Sequence, residues 1–441
     1  MVNMKAPFTS RREKERNLIR RKFHQYLNSL HKKRKHPKNS NYNVIKEPYE
    51  SKILYWLDKE FLSQNEPVNS KKTEEIEIPE TLCFSRDPDG AIAFLKHVYL
   101  VANNIKTETL TFDFQKCKNL DIAASAILDI MLYDVFRRRY SIKKRIKYGR
   151  CLTDGRKLSE DKEIDTLLKA SGIEKHFGLY KQNFDNVKVL GMIIDGDSPD
   201  VSEKIIEYID KSLSAHGFHL SESGHNYFGT IVGEITDNCN YHSGDNSTWI
   251  TQGHYYYDKD KKIGKCKLTI LDFGNTIYEG LKSGATDETS RGIELFRKSL
   301  SASYRKSIPE ETMYSVLALQ QSVSRLNSKH KHRGDGTIKF LDAFQRIFAT
   351  TEGKENSILS ITSGKCSILF DGTYIAKEQS FEEGKSNKII AFNKENDLHE
   401  KPDEKYVRTL QNSFPGTIIT MELYIDNDLL VIRRKTNAGN K

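Results

Sequence analysis

The feature of this sequence that most constrains its fold is the segment 234–242, which reads EITDNCNYH. At 3.6 residues per turn, its polar side chains form one stripe along a helix and its apolar side chains form a second stripe. The polar stripe consists of Glu234, Asp237, Asn238, Tyr241 and His242. The apolar stripe, which begins further upstream, consists of Phe228, Val232, Ile235 and Cys239. The pattern predicts an amphipathic helix with a polar working face.

Two polar residues on this face suit nucleotide chemistry. Glu234 and Asn238 lie one helical turn apart. A carboxylate can orient or deprotonate a water molecule, and an amide oxygen can ligate a magnesium ion that bridges phosphates. A solvated helix face shows the same kind of stripe, so the helix by itself leaves both interpretations open.

Two further features follow downstream. Residues 267–277 read as a buried strand that ends in Asp272 and breaks at Gly274, which places a carboxylate where a strand opens into a loop. Gly334 and Gly336 stand directly before an apolar-periodic helix, where bare backbone N–H groups can cradle phosphate. Singly, Asp272 is also compatible with a helix cap and the glycines with an ordinary loop. The chain contains no GxxxxGK[ST] loop, which excludes a P-loop ATPase.

In this order, the helix motif, the strand carboxylate and the glycine loop resemble the three nucleotide-binding boxes of the GHKL ATPase superfamily. Its members include gyrase, the large heat-shock chaperone, mismatch-repair clamps and sensor histidine kinases. The resemblance covers about 187–435 and implies an α/β sandwich domain that binds ATP and Mg²⁺.

The resemblance also implies roles for single residues. Glu234 would be the general base, and Asn238 the magnesium ligand. Asp237 and His242 match common variants of the same box. Asp272 would accept a hydrogen bond from the adenine amino group, with Gly274 giving the turn its room.

The remaining nucleotide contacts come from later in the chain. Gly334 and Gly336 would close a lid over the phosphates. Lys331 or Arg333, at the end of a basic run, can neutralise charge on the γ-phosphate, and the alternative is that this run is simply exposed to solvent. Thr417 corresponds to a threonine of the late strand, near the base and its water. One position departs from the family pattern: Thr276 stands where the second box has its second glycine, and its Cβ is expected to narrow that turn.

Residues 49–183 predict a separate small α/β domain. A strand covers 109–114, a helix begins at Asp121, and a later helix closes with the pattern LLxxSGI. These features resemble a STAS domain, the fold of anti-sigma-factor antagonists. In that family the phosphoacceptor serine follows the aspartate at once, whereas here Ile122 and Ala123 follow and Ser125 comes one turn later. We therefore expect a docking or lid-coupling module without a phosphorylation switch at the usual position.

Residues 1–48 form a basic arm with a helix-like apolar stripe. Its first 46 residues contain 14 Lys and Arg and two acids, so their formal charge is +12. The remainder of the chain has a formal charge of −2, which gives the whole chain +10. Such an arm can bind nucleic acid phosphates or an acidic partner. The alternative is that its apolar face packs on the protein itself.

The rest of the chain adds smaller expectations. Residues 313–326 predict a helix inside a long lid, and residues 366–375 a hairpin that turns at Asp371–Gly372. The chain has no run of about 18 apolar residues and no apolar signal region, which predicts a cytoplasmic protein without membrane spans. Six scattered cysteines without a CxxC pair predict reduced thiols and no metal site.

Together these patterns predict a magnesium-dependent ATP-binding protein that hydrolyses ATP slowly and acts as a conformational switch on a protein partner or a second copy of itself. Two alternatives stay open. One is a serine kinase of the anti-sigma-factor type that acts on a separate chain, and the other is a binding module that holds ATP without turnover. A histidine kinase is disfavoured, because His24 lacks the acidic neighbour expected beside an acceptor histidine.

Overall fold

The computed structural model describes residues 51–62, 70–142, 147–150, 159, 161–171, 184–242, 244, 246–260, 263–285, 287–320, 336–348, 357–380, 386–425 and 431–433. The helices, in chain order, are α1 (Lys52–Leu57), α2 (Pro88–Asn103), α3 (Ile122–Ser141), α4 (Lys162–Ala170), α5 (Ser198–Ser214), α6 (Glu222–His242), α7 (Ile277–Gly284), α8 (Asp287–Ser299), α9 (Ala302–Ser307), α10 (Glu310–Leu317) and α11 (Gly336–Phe348). The strands are β1 (Thr73–Glu77), β2 (Thr81–Leu82), β3 (Thr109–Asp113), β4 (Asn119–Leu120), β5 (Lys147–Arg150), β6 (Val187–Ile194), β7 (Phe218–Leu220), β8 (Thr248–Asp258), β9 (Ile263–Phe273), β10 (Ile358–Phe370), β11 (Lys377–Ser380), β12 (Ser386–Ile389), β13 (Val407–Ile425) and β14 (Val431–Arg433). The fold is therefore mixed α/β, and the basic arm lies outside the described residues.

The N-terminal part contains a small parallel sheet with the strand order β1, β3, β5. Helix α2 lies in the chain between β1 and β3, and α3 lies between β3 and β5, since parallel neighbours cannot be joined by a tight hairpin. Aspartates cap both helices: the Asp87 side chain accepts from Gly90 N–H, and Asp121 accepts from Ala124 N–H. The predicted start of a helix at Asp121 is confirmed.

The C-terminal part is built on five antiparallel strands in the order β10, β13, β9, β8, β6. Strand β9 lies in the middle, with Asp272 directly opposite Trp249 of β8 and Thr417 of β13. Residues directly opposite each other in an antiparallel sheet project from the same face. Trp249, Asp272 and Thr417 therefore share one face of the sheet.

That face packs against helices α5, α6 and α11. Leu268 and Ile270 of β9 share a buried core with Ile231 and Ile235 of α6 and with Phe344 of α11. The apolar stripe predicted for the helix around 234–242 is the stripe that faces this core, and its residues are buried. Glu234, Asp237 and Asn238 therefore lie on the less buried side of α6.

The opposite face of the sheet is covered by the N-terminal part. Leu271 and Phe273 of β9 and Ile418 of β13 belong to the same core as Phe84 and Ile127. Alternate residues of β9 thus enter two different cores, which explains why the strand is apolar along both faces. The sheet is the middle layer of a three-layer arrangement.

Helices α7–α10 lie in the chain between β9 and α11 and have a small core of their own, formed by Leu281, Ile293, Leu300, Met313 and Leu317. The helix predicted over 313–326 begins earlier and ends sooner. It runs from Glu310 to Leu317, and Ala318 caps it with its N–H on the Tyr314 carbonyl. Positions 321–326 lie outside the described residues.

The prediction of a hairpin at 366–375 is wrong, because the strands on either side of the turn do not pair with each other. A turn does form, because Gly372 has φ of 85° and the Asp371 carboxylate accepts from Thr373 N–H at 2.9 Å. Strand β10, however, pairs with β13, and the strand after the turn, β11, pairs with β12. The turn residues fix the local bend, whereas the partner of β10 is set by β13, whose apolar residues enter the cores on both faces of the sheet.

Among the helices that the structure describes, none has both the length and the apolar character needed to cross a bilayer.

Candidate functional site

Helix α6 presents the first group of predicted site residues beside the sheet. Glu234 and Asn238 are half-buried and Asp237 is exposed, while Ile235 and Cys239 between them are buried. His242 is the last residue of α6, and its side chain lies outside the described part of the chain. The one-turn spacing expected for Glu234 and Asn238 is therefore present on a helix that is anchored by its neighbours.

Glu234 has the electrostatic surroundings of a moderately basic carboxylate. Its partial burial and the nearby charge of Asp237 raise its pKa, whereas the nearby charge of Lys339 lowers it, and the balance is a raised pKa. Lys339 is exposed near the start of α11. The residue was not predicted, although it follows Gly336 by only three positions.

Asp237 is held by a residue from another helix. The Ser198 hydroxyl, at the start of α5, donates to Asp237 Oδ1 at 2.6 Å and lies 2.9 Å from Thr236 Oγ1. Thr236 in turn donates back to the Val232 carbonyl of its own helix. The buried Ser198 therefore fixes the orientation of Asp237, a contact between residues 39 positions apart.

Asp272 is the most unusual residue of the site. It ends the core of β9 with 4% of its surface exposed, and its Oδ1 has no hydrogen-bond partner within the described residues. Burial raises its pKa well above the ordinary value, and a hydrogen bond from the Thr417 backbone lowers it only in part. Its carboxylate also contributes to the raised pKa of the buried Cys239 thiol, which places it under α6.

A buried acceptor without a donor is unfavourable by about 1–3 kcal/mol, so most buried polar groups in proteins have partners. The exception at Asp272 has a natural explanation if a ligand supplies the missing N–H. Asp272 lies one residue before the end of β9, and its charge acts on Cys239 of α6.

Strand β13 approaches β9 very closely at this point. Gly416 has φ of 136°, and a Cβ there would lie 2.0 Å from the Asp272 carbonyl oxygen. Only glycine fits this position. The next residue, Thr417, lies directly opposite Asp272 and places its hydroxyl 3.0 Å from the Ser363 hydroxyl of β10.

Ser363 links this group to the following helix. Its hydroxyl lies within hydrogen-bonding distance of the Gly416 carbonyl, at 3.1 Å, and of Ile277 N–H, at 2.9 Å. The start of α7 is therefore tied to the sheet edge that carries Thr417. Ser363 was not predicted, because nothing in its local sequence indicates a contact with residues more than 50 positions away.

The Cβ of Thr276 was expected to narrow the turn after Asp272, but it does not. Gly274 is buried and its N–H donates to the Pro415 carbonyl at 3.3 Å. Thr276 has an ordinary φ of −67° and is the N-cap of α7, with a reciprocal capping box to Glu279. Its Cβ is therefore accommodated, since the position is the start of a helix and needs no glycine conformation.

The predicted glycine loop is only partly described. Gly336 is the first residue of α11, which packs against α6 and confirms the predicted helix. Arg333 and Gly334 lie outside the described residues.

The described side chains offer few ligands for a magnesium ion. In the described ranges, no group of three or more His, Cys, Asp or Glu side chains is arranged to hold a metal ion. A magnesium ion at Asn238 would instead take its other ligands from phosphate oxygens and water, which is usual for this ion in nucleotide sites. The half-buried amide of Asn238 fits such a role.

Comparison of the chain with family models, with curated proteins and with solved structures found no match.

Proposed function

We propose that this protein binds ATP with Mg²⁺ between α6 and the adjoining ends of β9 and β13, and that it hydrolyses ATP slowly. The observation that carries the proposal is the buried carboxylate of Asp272, whose Oδ1 lacks a hydrogen-bond donor within the described part of the chain. An exocyclic amine of adenine is a donor of suitable size and charge. Guanine would instead present a carbonyl, and two acceptors would then face each other in a dry site.

The phosphate end of the ligand would lie toward Glu234 and Asn238. Asn238 would provide one ligand to Mg²⁺, which, when bound, neutralises phosphate charge. Lys339, which influences Glu234 electrostatically, adds a positive charge at this end. Arg333, Gly334, Gly336 and the side chain of His242 keep the roles expected from the sequence, as part of the proposal.

The proposed chemistry is the transfer of the γ-phosphoryl group to water. Glu234 accepts a proton from a water molecule, the water oxygen attacks the γ-phosphorus, and the bond to the bridging oxygen breaks to release ADP. A half-buried carboxylate with a raised pKa is a better base than an exposed one. The Thr417 hydroxyl, held by Ser363, would orient the water or a phosphate oxygen.

Several features support assignment of 187–435 to the GHKL type. They are the five-stranded antiparallel sheet, the helices α6 and α11 on one of its faces, and a strand carboxylate beneath the helix that carries the Glu-Asn pair. For 49–183, the parallel strands β1, β3 and β5 with α2 and α3 between them support a STAS-like unit. We include both assignments in the proposal.

The binding step is tested by calorimetry with ATP and GTP in the presence of Mg²⁺. We expect ATP to bind much more tightly than GTP, and Asp272→Asn to weaken ATP binding at least tenfold. The chain has two tryptophans, Trp56 and Trp249, and Trp249 lies directly opposite Asp272. In a Trp56→Phe background, ATP should therefore change the emission of Trp249. Equal affinities for ATP and GTP would reject Asp272 as the adenine acceptor.

The fate of the γ-phosphate separates hydrolysis from the two alternatives. Incubation with γ-labelled ATP and a cell lysate should yield labelled free phosphate. Label on another protein would instead indicate the serine kinase, and unchanged ATP would indicate a binding module.

A further inference from the structure

The reverse face of the nucleotide-binding sheet carries a buried cluster of charges. At its centre is Lys267 of β9, which lies directly opposite His254 of β8 and Glu422 of β13. Lys265, two residues earlier in β9, projects from the same face. His254 is fully buried and Lys267 is 6% exposed. Further along this face of β9, Thr269 comes first, and Leu271 and Phe273 then pack on the N-terminal part.

A carboxylate from the N-terminal part enters this cluster. Glu163, in the first turn of α4, lies 2.5 Å from Lys267 Nζ and 3.3 Å from Lys265 Nζ. Lys265 also pairs with Glu422 at 2.7 Å, and Lys267 donates to the Leu120 carbonyl at 3.2 Å. Two lysines are thus balanced by two carboxylates, one from the sheet and one from α4.

The electrostatics show how strongly the cluster depends on Glu163. Burial opposes its ionised form, but the charges of Lys267 and Lys265 outweigh burial and lower its pKa to about 2. Burial, followed by the charge of Lys267, lowers the pKa of His254 to about 3, so His254 is neutral and cannot replace a missing acid or add to the lysines. Removal of the Glu163 charge would leave the buried Lys267 and the half-buried Lys265 with one carboxylate.

The other end of α4 is attached to the sheet by a polar contact as well. Gln252 of β8 donates through Nε2 to the Ser171 carbonyl, the C-cap of α4, at 2.8 Å. The apolar residues Ile164, Leu167 and Leu168 of α4 face the N-terminal core. At both of its ends α4 is attached to the sheet by polar groups, while its apolar residues share a core with Ile250 and Leu271 of the sheet.

The same strands carry this cluster and the nucleotide site. On β9, Lys267 precedes Asp272 by five residues, and on β13, Glu422 follows Thr417 by five residues. The side chains of Lys267 and Asp272 project from opposite faces of one continuous strand. We infer that α4 regulates the nucleotide site from the back of the sheet, with Glu163 as the positioning residue that holds β9 and β13 in the nucleotide-binding arrangement.

The N-terminal part has a mechanical role in this arrangement. With α4 docked, the two strands are held together by a balanced ion cluster, and Asp272 and Thr417 stay in register for ATP. A partner that draws α4 away would expose the two lysines to water and loosen the strands. By linkage, ATP must also favour the docked state of α4, and the two effects have the same size.

Hydrogen exchange and calorimetry on the full chain test this coupling. Glu163→Gln keeps the shape of the side chain and removes its charge. We expect faster amide exchange in α4 and β9 and a loss of ATP affinity of about fivefold or more, the lower range of typical coupling between sites. ATP added to the unmodified protein should slow exchange in α4.

Asp165→Asn is the matched control, because Asp165 lies on the same helix and pairs with Lys169 of that helix at 2.6 Å. It should change neither property. The double variant Glu163→Gln with Lys267→Met leaves one lysine and one carboxylate, Lys265 and Glu422, and should restore slow exchange and ATP affinity. A general loss of packing would not be rescued by this second substitution.

Because the inference rests on the proposed function, the two must be able to fail separately. If the amide exchange rate of α4 is unchanged in Glu163→Gln, the ion cluster does not hold α4 on the sheet. Faster exchange with unchanged ATP affinity overturns the coupling. If the unmodified protein binds no ATP, the proposed function fails and the regulation fails with it, while the exchange data still decide whether Glu163 holds α4.

Discussion

At the scale of single residues, Asp272 is expected to reduce the stability of the protein without ligand. An acid whose pKa is raised in the folded state favours folding only at pH values below its unfolded value of 3.8, and this contribution is lost as the pH rises toward the folded pKa. Without a ligand, Oδ1 of this buried side chain has no hydrogen-bond donor within the described residues. The proposed role in ATP binding would account for this residue, since natural sites often reduce stability to serve function.

We therefore predict that Asp272→Asn stabilises the unliganded protein at pH 7, by about 1–3 kcal/mol, while it weakens ATP binding. Thermal unfolding at pH 7 and at pH 3.5 provides the measurement. The gain should be present at pH 7 and should shrink at pH 3.5, where the wild-type carboxyl is protonated. Asp200→Asn, at an exposed position of α5, is the control and should leave both stability and affinity unchanged. A lower melting temperature for Asp272→Asn at pH 7 would contradict the prediction.

Glu234 gives a prediction for the pH dependence of hydrolysis. A base must be ionised, so kcat should fall as the pH drops through the pKa of Glu234. Lys339 lowers that pKa, and its removal should raise it further. In Lys339→Met, the acidic limb of the kcat profile should therefore move to higher pH.

Lys339→Arg keeps the charge and should restore the original profile. Glu234→Gln should lose hydrolysis and keep ATP binding, because the carboxylate acts on water and not on the nucleotide. An unshifted acidic limb in Lys339→Met, or wild-type hydrolysis by Glu234→Gln, would reject Glu234 as the base.

At the scale of secondary structure, the sequence was most informative where a local pattern sets the element. The apolar stripe of α6 and the apolar run of β9 with Gly274 after it were sufficient to predict both elements. The hairpin after β10 was mispredicted, since a turn signal fixes a bend but not which strand will pair with which. The roles of Ser198, Ser363 and Glu163 were missed for a related reason: each depends on a partner 39 to 104 positions away, brought close only by packing of the sheet.

Thr276 begins a helix, whereas the family resemblance placed it at a glycine position of a turn. Its hydroxyl accepts from Glu279 N–H at 3.1 Å, and the Glu279 carboxylate accepts from Thr276 N–H at 2.9 Å. Thr276→Ala should remove one half of this box and destabilise the protein by about 0.5–2 kcal/mol.

Denaturant unfolding of Thr276→Ala, Glu279→Ala and the double variant measures this effect. Because the two side chains act on the same helix end, the double variant should lose less than the sum of the single variants. Strict additivity would show that the capping box is not formed in solution. Thr276→Gly should have a smaller effect, as glycine is tolerated at an N-cap.

At the scale of the whole molecule, one sheet joins three parts of the chain. Its front face carries α6 and the proposed nucleotide site, its back face carries the N-terminal part with α4, and its edge is tied through Ser363 to the helices α7–α10. A ligand that orders the ends of β9 and β13 can therefore act on two layers at once. This arrangement suits a protein whose nucleotide state is transmitted to a partner.

The basic arm gives the last prediction. Residues 1–46 carry a formal charge of +12 while the remainder nets −2, so the arm is the part of the chain expected to meet a polyanion. If the arm binds nucleic acid, each phosphate that it neutralises releases counterions, and the logarithm of the binding constant should fall steeply and linearly with the logarithm of the salt concentration. Affinity should not depend on sequence, because contacts to phosphates carry no base information. Gel-shift titrations at two salt concentrations measure both properties.

Deletion of 1–46 should abolish this binding and leave ATP hydrolysis nearly unchanged, because every proposed site residue lies beyond position 230. Replacement of Lys32, Lys33, Arg34 and Lys35 by glutamine is the matched control within the full-length chain. It removes four charges without shortening the arm, so it should weaken binding and flatten the salt dependence by a corresponding amount. If the full-length protein gives no shift at low salt, nucleic acid is rejected as the partner of the arm, and its apolar stripe would then be the feature to explain, through packing on the protein or on an acidic protein partner.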